Sequence, residues 1–311
     1  MGCLWKLIRY IFYLLLVLLL AAACYAGNAA YEYVWKLPWD QVLSLENRRD
    51  QLSRIQYLER YYAWPEVQVL SKDGTFLTGT YVEGKGHRYV ILLHGLYQNR
   101  SMMIPYIRIY RDLGYHILLA DLRGHGQSGG IPTDWGIHDE EDLHAWISWL
   151  KSKDPEAQIG IHGVSLGAAM ALIYAGSEEG RQLRFCVADS SYGDLMELGR
   201  EKIMAYTEDQ SLLWGMDLLN PFFQGALYFH TGRLLRDIDP MDRVKTMTAP
   251  VLFLHGGADT LVPPDVAEKL CREAGSSNKK AVIFEGSAHT MEFHDRPQTY
   301  TRTVRDFIKD I

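Results

Sequence analysis

Cysteine is scarce in this chain, positive charge is not in excess, and no metal-binding or repeat signature occurs. Each lack removes a class of function. The four cysteines, Cys3, Cys24, Cys186 and Cys271, contain no C-x-x-C pair, so neither a zinc knuckle nor a disulfide scaffold is indicated. A net charge of −6, with no basic stretch interleaved with aromatics, gives nucleic acid no electrostatic footprint. H-E-x-x-H is absent; the acidic run between His138 and His144 reads as a helix start that complements the macrodipole rather than as a metal site. Gly124-His-Gly-Gln-Ser-Gly129 fits G-x-G-x-x-G, yet residues 130–136 follow it where a dinucleotide loop would open directly into a helix. No cofactor and no metal is therefore expected.

What the chain has is apolar residues, 48% of the total, enough to fill the core of one large domain. The first concentration of them is N-terminal. Lys6 and Arg9 precede an uncharged span from Tyr10 to Tyr31, long enough as a helix to cross a hydrocarbon core of about 30 Å. Basic residues before it and the mixed charges of Glu32, Lys36 and Asp40 after it favour an inside N-terminus and an outside remainder. Residues 1–36 are read as a tail and retained signal-anchor, making a single-pass cell-membrane protein whose remaining residues are extracytoplasmic. The competing readings are a signal peptide cleaved near Ala21-Ala22-Ala23, which gives a secreted protein, and a lipoprotein signal ending at Cys24. Residues 37–65 are expected to form a juxtamembrane amphipathic helix, with Trp39, Val42, Leu45, Leu52, Ile55 and Leu58 at helix-like spacing from Pro38 to Tyr62.

From residue 66 the pattern changes to strands alternating with helices. Runs at Glu66 to Leu70 and Phe76 to Val82 predict a hairpin. Continuous apolar runs beginning at Tyr89, Tyr115, Ile159, Phe185, Val251 and Ala281 predict strands buried on both faces. Helices are expected over Ser101 to Leu113, His138 to Leu150, after Ser165, Asp265 to Ala274 and Gln298 to Lys309. The alternation implies a mainly parallel sheet of eight strands with helices on both faces, an α/β fold occupying 66–311. Residues 190–249 interrupt it with large apolar side chains. An apolar helical insertion after the C-terminal end of a strand suits a lid over the ligand crevice.

The chemistry centres on Gly163-Val-Ser-Leu-Gly167. It follows a strand and opens a helix, so Ser165 is predicted at a sharp strand-to-helix turn with its hydroxyl raised above the sheet. A serine needs a base, and an imidazole base needs a third group to fix its tautomer. Asp259 lies just past the strand Val251 to His255, and His289 just past the strand Ala281 to Phe284. Both therefore fall at the sheet edge where Ser165 emerges, in the order Ser, Asp, His. His294 is the substitute base and Asp265 a weaker alternative acid. The amides of Leu96 and Leu166 are the expected oxyanion donors, and Tyr97 and Tyr192 are assigned to the substrate pocket.

Beyond these placements, several segments together resemble the α/β-hydrolase superfamily. They are His94-Gly95-Leu96 with Asn99-Arg100, Asp121-Leu-Arg-Gly-His-Gly-Gln-Ser128, Gly163-Val-Ser-Leu-Gly167, Asp189-Ser-Ser-Tyr192, His255-Gly-Gly-Ala-Asp259 with Val262-Pro263, and Gly286-Ser-Ala-His289. The chain looks like N-terminally anchored bacterial members of the BEM46-like or serine aminopeptidase-like kind. The resemblance implies Ser165 as nucleophile, His289 as base and Asp259 as acid. The expected function is cleavage of an acyl bond, a carboxylic ester first, in a small-molecule substrate, without nucleic acid. A peptidase or amidase using the same three residues is the alternative, and a non-catalytic binding protein the alternative of another class.

Overall fold

The computed structural model describes residues 2–131, 135–309 and 311. Its sheet follows from the apolar runs. β1 (Glu66–Leu70) and β2 (Phe76–Val82) form the predicted hairpin. β3 (Arg88–Leu93), β4 (His116–Ala120), β5 (Gln158–Val164), β6 (Phe185–Asp189), β7 (Val251–Gly256) and β8 (Lys279–Phe284) follow. The eight strands are ordered β1-β2-β4-β3-β5-β6-β7-β8. β2 pairs antiparallel with β1 and with β4, and every pairing from β4 to β8 is parallel. The expected mainly parallel eight-stranded sheet is what forms.

Alternation along each strand sends side chains to two cores. In β3, Tyr89, Ile91 and Leu93 join one cluster and Val90 and Leu92 the other. The first cluster is covered by α5 (Asp139–Lys153) and α6 (Leu166–Ala175). The second is covered by α4 (Ile107–Arg111) and α12 (Pro297–Lys309). Because the parallel strands run the same way, their C-terminal loops gather at one edge, where ligands of such sheets bind.

N-terminal to the sheet, α1 (Gly2–Lys36) is a single helix, long and apolar enough to cross a membrane. At 1.5 Å per residue it extends about 52 Å, well beyond a hydrocarbon core of about 30 Å. Between β6 and β7 lie α7 (Leu195–Thr207), α8 (Ser211–Thr231) and the short α9 (Pro240–Arg243), and after β7 comes α10 (Asp265–Glu273). The C-terminal end of α1 packs along α8. Gly27 permits that approach, since a Cβ there would lie 2.4 Å from Cβ of Phe222.

Two expected helices differ in the structure. The stretch Pro38 to Tyr62 is α2 (Trp39–Val42) and α3 (Ser53–Tyr62), with residues 43–52 as a loop between them. Tertiary bonds account for this: the Arg48 amide donates to the Tyr97 carbonyl (2.7 Å), and the Asn99 side-chain amide donates to the carbonyls of Arg48 (2.8 Å) and Gln51 (3.3 Å). The stretch from Ser101 is 3₁₀ helix through Tyr106, with Pro105 inside it, before α4 begins. A proline there supplies no amide donor for the preceding turn.

Arg100 shows how the hairpin, α3 and the sheet edge are held together. Its fully buried guanidinium reaches Glu59 of α3 (3.0 Å), Glu66 of β1 (2.9 Å), the Thr80 hydroxyl of β2 (2.8 Å) and Asp121 after β4. Breaking a buried ion cluster by removing one partner leaves uncompensated charge, at a cost of about 3–5 kcal/mol. Arg100→Met is expected to lower unfolding stability by that amount in a urea titration.

Candidate active site

The turn at Ser165 is built by the glycines around it. Ser165 has φ 53° and ψ −114°, a backbone conformation that L-residues rarely adopt and that persists only where surroundings enforce it. Here the Ser165 amide donates to the Asp189 carbonyl (2.8 Å) and the Gly167 amide to the His94 carbonyl (3.2 Å). A Cβ at Gly163 would lie 2.0 Å from the Gly167 oxygen, and one at Gly167 2.5 Å from the Leu93 oxygen. Only glycines allow strand, turn and helix to close this tightly, and closure pushes the Ser165 hydroxyl out of the sheet.

Asp259 and His289 come from the loops after β7 and β8, as their sequence positions predict. The Ser165 Oγ and His289 Nε2 are 2.9 Å apart, and His289 Nδ1 lies 2.6 Å from Asp259 Oδ2. Asp259 is buried, which by itself raises its carboxyl. Hydrogen bonds from His255 and His289, the charge of His289 and the Val262 amide outweigh burial and hold the carboxyl well below the usual range. Its Oδ1 accepts from the amides of Leu261 (2.8 Å) and Val262 (2.9 Å). His289 Nδ1 therefore faces a fixed, ionised acceptor. An imidazole whose Nδ1 proton is so committed presents a bare Nε2 to the hydroxyl, the arrangement that general-base activation of serine requires. His255, half of the second contact to Asp259 (3.1 Å), also lies 3.1 Å from the Val262 carbonyl, so its Nε2 carries the proton.

Leu166 follows the serine in the chain, and Leu96 follows Gly95, where a Cβ would lie 3.4 Å from Ser165 Cβ. Among the described residues neither amide donates a hydrogen bond, so both are free for a ligand. The loop that carries Leu96 is clamped by two neutral histidines. His94 Nδ1–H donates to the Gly95 carbonyl (2.7 Å) while its Nε2 accepts from the Leu122 amide (3.0 Å). His125 Nε2 accepts the Tyr97 amide (3.0 Å) while its Nδ1–H donates to the Arg123 carbonyl (2.8 Å). Burial pushes His94 down to about 4 and His125 to about 3, so these tautomers hold at neutral pH. The glycine-rich loop at 124–129 thus supplies a clamp for the Leu96 loop.

Tyr97 and Tyr192 are both buried rather than open to solvent. Tyr97 has φ 56°, and its amide is taken by His125. The Tyr192 hydroxyl finds no hydrogen-bond partner among the described residues. His294 is 79% exposed beside Asp295, and Asp265 pairs with Lys269 at 2.9 Å on α10; neither substitute reaches Ser165. Among the described residues no cluster of His, Cys, Asp and Glu could hold a metal ion. Asp142, from the acidic start of α5, instead binds Arg123 and the Ser71 hydroxyl.

Sequence reasoning missed Glu292 and gave Ser190 no role beyond its place in the Asp189-Ser-Ser-Tyr192 segment. Ser190 Oγ donates to Glu292 Oε1 (2.8 Å), lies 3.2 Å from Asp189 Oδ1, and accepts the Thr290 amide (3.3 Å), bracing the residue after His289. Glu292 opens α11 (Glu292–Asp295) and is fully buried. Burial pushes the Asp189 carboxyl well above its ordinary value, with the neighbouring Glu292 adding to the shift; burial also raises Glu292. Of these three buried acids, Asp259 is thus the one whose carboxyl is lowered rather than raised. Nothing local marks Glu292, which lies 102 residues from Ser190 and meets it only through the fold.

A parallel sheet carrying a serine on a strand-to-helix elbow, followed in chain order by an aspartate and a histidine within hydrogen-bonding reach, has the organisation of the α/β hydrolases. Comparison with known proteins agrees: the sequence pattern described as "Alpha/beta hydrolase family" matches residues 90–303. The uncharacterized protein YqkD of Bacillus subtilis is 32% identical over 223 residues, 71% of this chain and 71% of that protein. The lysophosphatidylserine lipase ABHD12 of Danio rerio is 27% identical over 218 residues, covering 69% of this chain and 53% of that one. Among solved structures, the Pyrococcus furiosus esterase Pf2001 superposes with a TM-score of 0.65 at 23% identity, over 81% of this chain and 95% of that one. The chain belongs to the α/β hydrolase family.

Proposed function

We propose that this protein is a membrane-anchored serine hydrolase that cleaves carboxylic esters. The observation that carries the reading is the unbroken hydrogen-bond chain from Ser165 Oγ through His289 to Asp259, at 2.9 and 2.6 Å, together with the Leu96 and Leu166 amides, which donate no hydrogen bond among the described residues. Ser165 attacks the acyl carbonyl while His289 Nε2 takes its proton and Asp259 stabilises the imidazolium that forms. The Leu96 and Leu166 amides receive the developing oxyanion, helped by the N-terminus of α6. His289 then protonates the leaving alkoxide, and water repeats the sequence on the acyl-enzyme.

The ester reading rests on the apolar insertion. α7 and α8 carry aliphatic side chains, among them Leu195, Leu198, Ile203 and Met216, that pack onto the apolar cluster of the domain, which suits an acyl chain. The names of the lipase ABHD12 and the esterase Pf2001 describe activities in the same chemical class. In this reading residues 1–36 are the anchor, 37–65 the connector and 66–311 the hydrolase domain, with 190–249 as its lid. Lys6 and Arg9 favour an inside N-terminus and an active site outside the membrane. Turnover of p-nitrophenyl esters of graded chain length, set beside aminoacyl anilides, tests the substrate class. Esters are expected to react with kcat/KM at least a hundredfold above anilides; faster anilide cleavage would instead make the protein a peptidase.

A further inference from the structure

An apolar cavity of about 270 Å³ lies between the end of α1, α2 and the insertion helices α7 and α8. Its walls include Ala30 and Trp35 of α1, Trp39 of α2, Gly199 of α7, and Met216 and Phe223 of α8. Ser165 and His289 do not line it. Trp39 nevertheless belongs to the same continuous apolar cluster as Leu96 and as Leu166, the residue after the serine. We propose that the membrane-distal end of α1, together with α2, is a wall of the acyl-chain site, so that the anchor sets chain-length selectivity as well as location. This rests on the ester-hydrolase reading above.

Three features support an acyl chain drawn from the adjoining leaflet as the occupant. The wall is fixed in place: the Trp39 indole N–H donates to the Val34 carbonyl (2.8 Å), and Tyr31 stacks on Trp35 and on His230 of α8, each at 4.7 Å between ring centroids. Second, α8 turns large apolar side chains outward beside the membrane-crossing helix, with Trp214, Leu218 and Phe229 each at least 75% exposed. A surface of that kind flanking a membrane span favours contact with lipid over water. Third, the volume falls just below the range of about 300–1,000 Å³ typical of pockets for drug-sized ligands, which suits one unbranched chain rather than two.

The test uses the full-length protein in lipid nanodiscs, with a phenylalanine placed in each wall. Gly199→Phe fills the cavity from α7, where a Cβ meets no atom within 4 Å; Ala30→Phe fills it from α1. Each methylene accommodated by the site is worth about fourfold in kcat/KM, the equivalent of about 0.8 kcal/mol. Both variants are expected to keep p-nitrophenyl acetate turnover within twofold of wild type, which also shows that they fold. For the dodecanoate ester, kcat/KM is expected to fall at least thirtyfold. Unchanged selectivity in Ala30→Phe would overturn the role of α1, and equal losses on both esters would overturn the acyl site. A binding measurement separates this from the proposed reaction. In the Ser165→Ala background, 12-bromododecanoic acid is expected to quench the emission of Trp35, Trp39 and Trp135, all cavity-lining residues, and either phenylalanine should abolish that quenching. If wild type cleaves no ester but quenching behaves in this way, the reaction is wrong and the acyl site stands. Ester cleavage with quenching indifferent to both substitutions would leave the reaction standing and overturn the acyl site.

Discussion

Ser165→Ala is expected to lower kcat on the preferred ester by about 10⁶-fold, the scale seen when the nucleophile of such a constellation is removed. The size follows from the arrangement. His289 Nε2 has the Ser165 hydroxyl as its partner, and with that oxygen gone no covalent intermediate can form. What remains is the binding energy and the two amides, which can still act on a water molecule and leave a residual rate of about 10³–10⁴ over solution. The fold should survive, because the Ser165 amide and its neighbours, not the side chain, hold the elbow closed. Coincident thermal unfolding curves for variant and wild type would show that the loss is chemical.

Asp259→Asn should cost about 10⁴-fold in kcat through tautomer choice, with the structure otherwise kept. The amides of Leu261 and Val262 both point at Oδ1, so an asparagine must keep its carbonyl oxygen there. Its NH2 group then faces His289 Nδ1, which can meet it only as an acceptor. The imidazole proton moves to Nε2 and confronts the Ser165 hydroxyl, where no proton can be taken up. His255 can release the site and keep its bond to the Val262 carbonyl. Because the native carboxyl is held well below its ordinary value, it also stabilises the fold. That contribution is present above the pKa of an unfolded aspartate, about 3.9, and is lost as pH falls below it; Asp259→Asn should therefore reduce stability at pH 7 more than at pH 3. By contrast, His294→Ala should leave kcat within twofold, since that side chain is exposed and far from this chain of bonds.

Much of this was legible in the sequence because the fold obeys local rules. Uninterrupted apolar runs such as Val251 to His255 have one physical solution, a strand covered on both sides, and parallel strands put the residues that follow them at one edge. Ser165, Asp259 and His289 could therefore be placed together without any contact being seen. What stayed hidden depends on contacts distant in sequence. Residues 43–52 have the spacing of a helix, yet bonds to Tyr97 and Asn99 hold them as a loop. The histidines that clamp the Leu96 loop, and the Ser190–Glu292 contact behind His289, likewise join positions that no window of sequence links. The packing of α1 on α8 was equally invisible, since an apolar N-terminal helix reads the same whether it stands apart from the domain or forms part of it.

The proposed chemistry depends on one oxygen atom, and that atom can be labelled directly. A fluorophosphonate added to the detergent-solubilised protein at neutral pH should form a single covalent adduct on the Ser165 side chain. Tandem mass spectrometry of the peptide spanning the elbow would locate it, and His289→Ala should slow its formation by orders of magnitude. An adduct on any other serine, or none while the protein remains folded, would contradict the assignment of Ser165 as nucleophile.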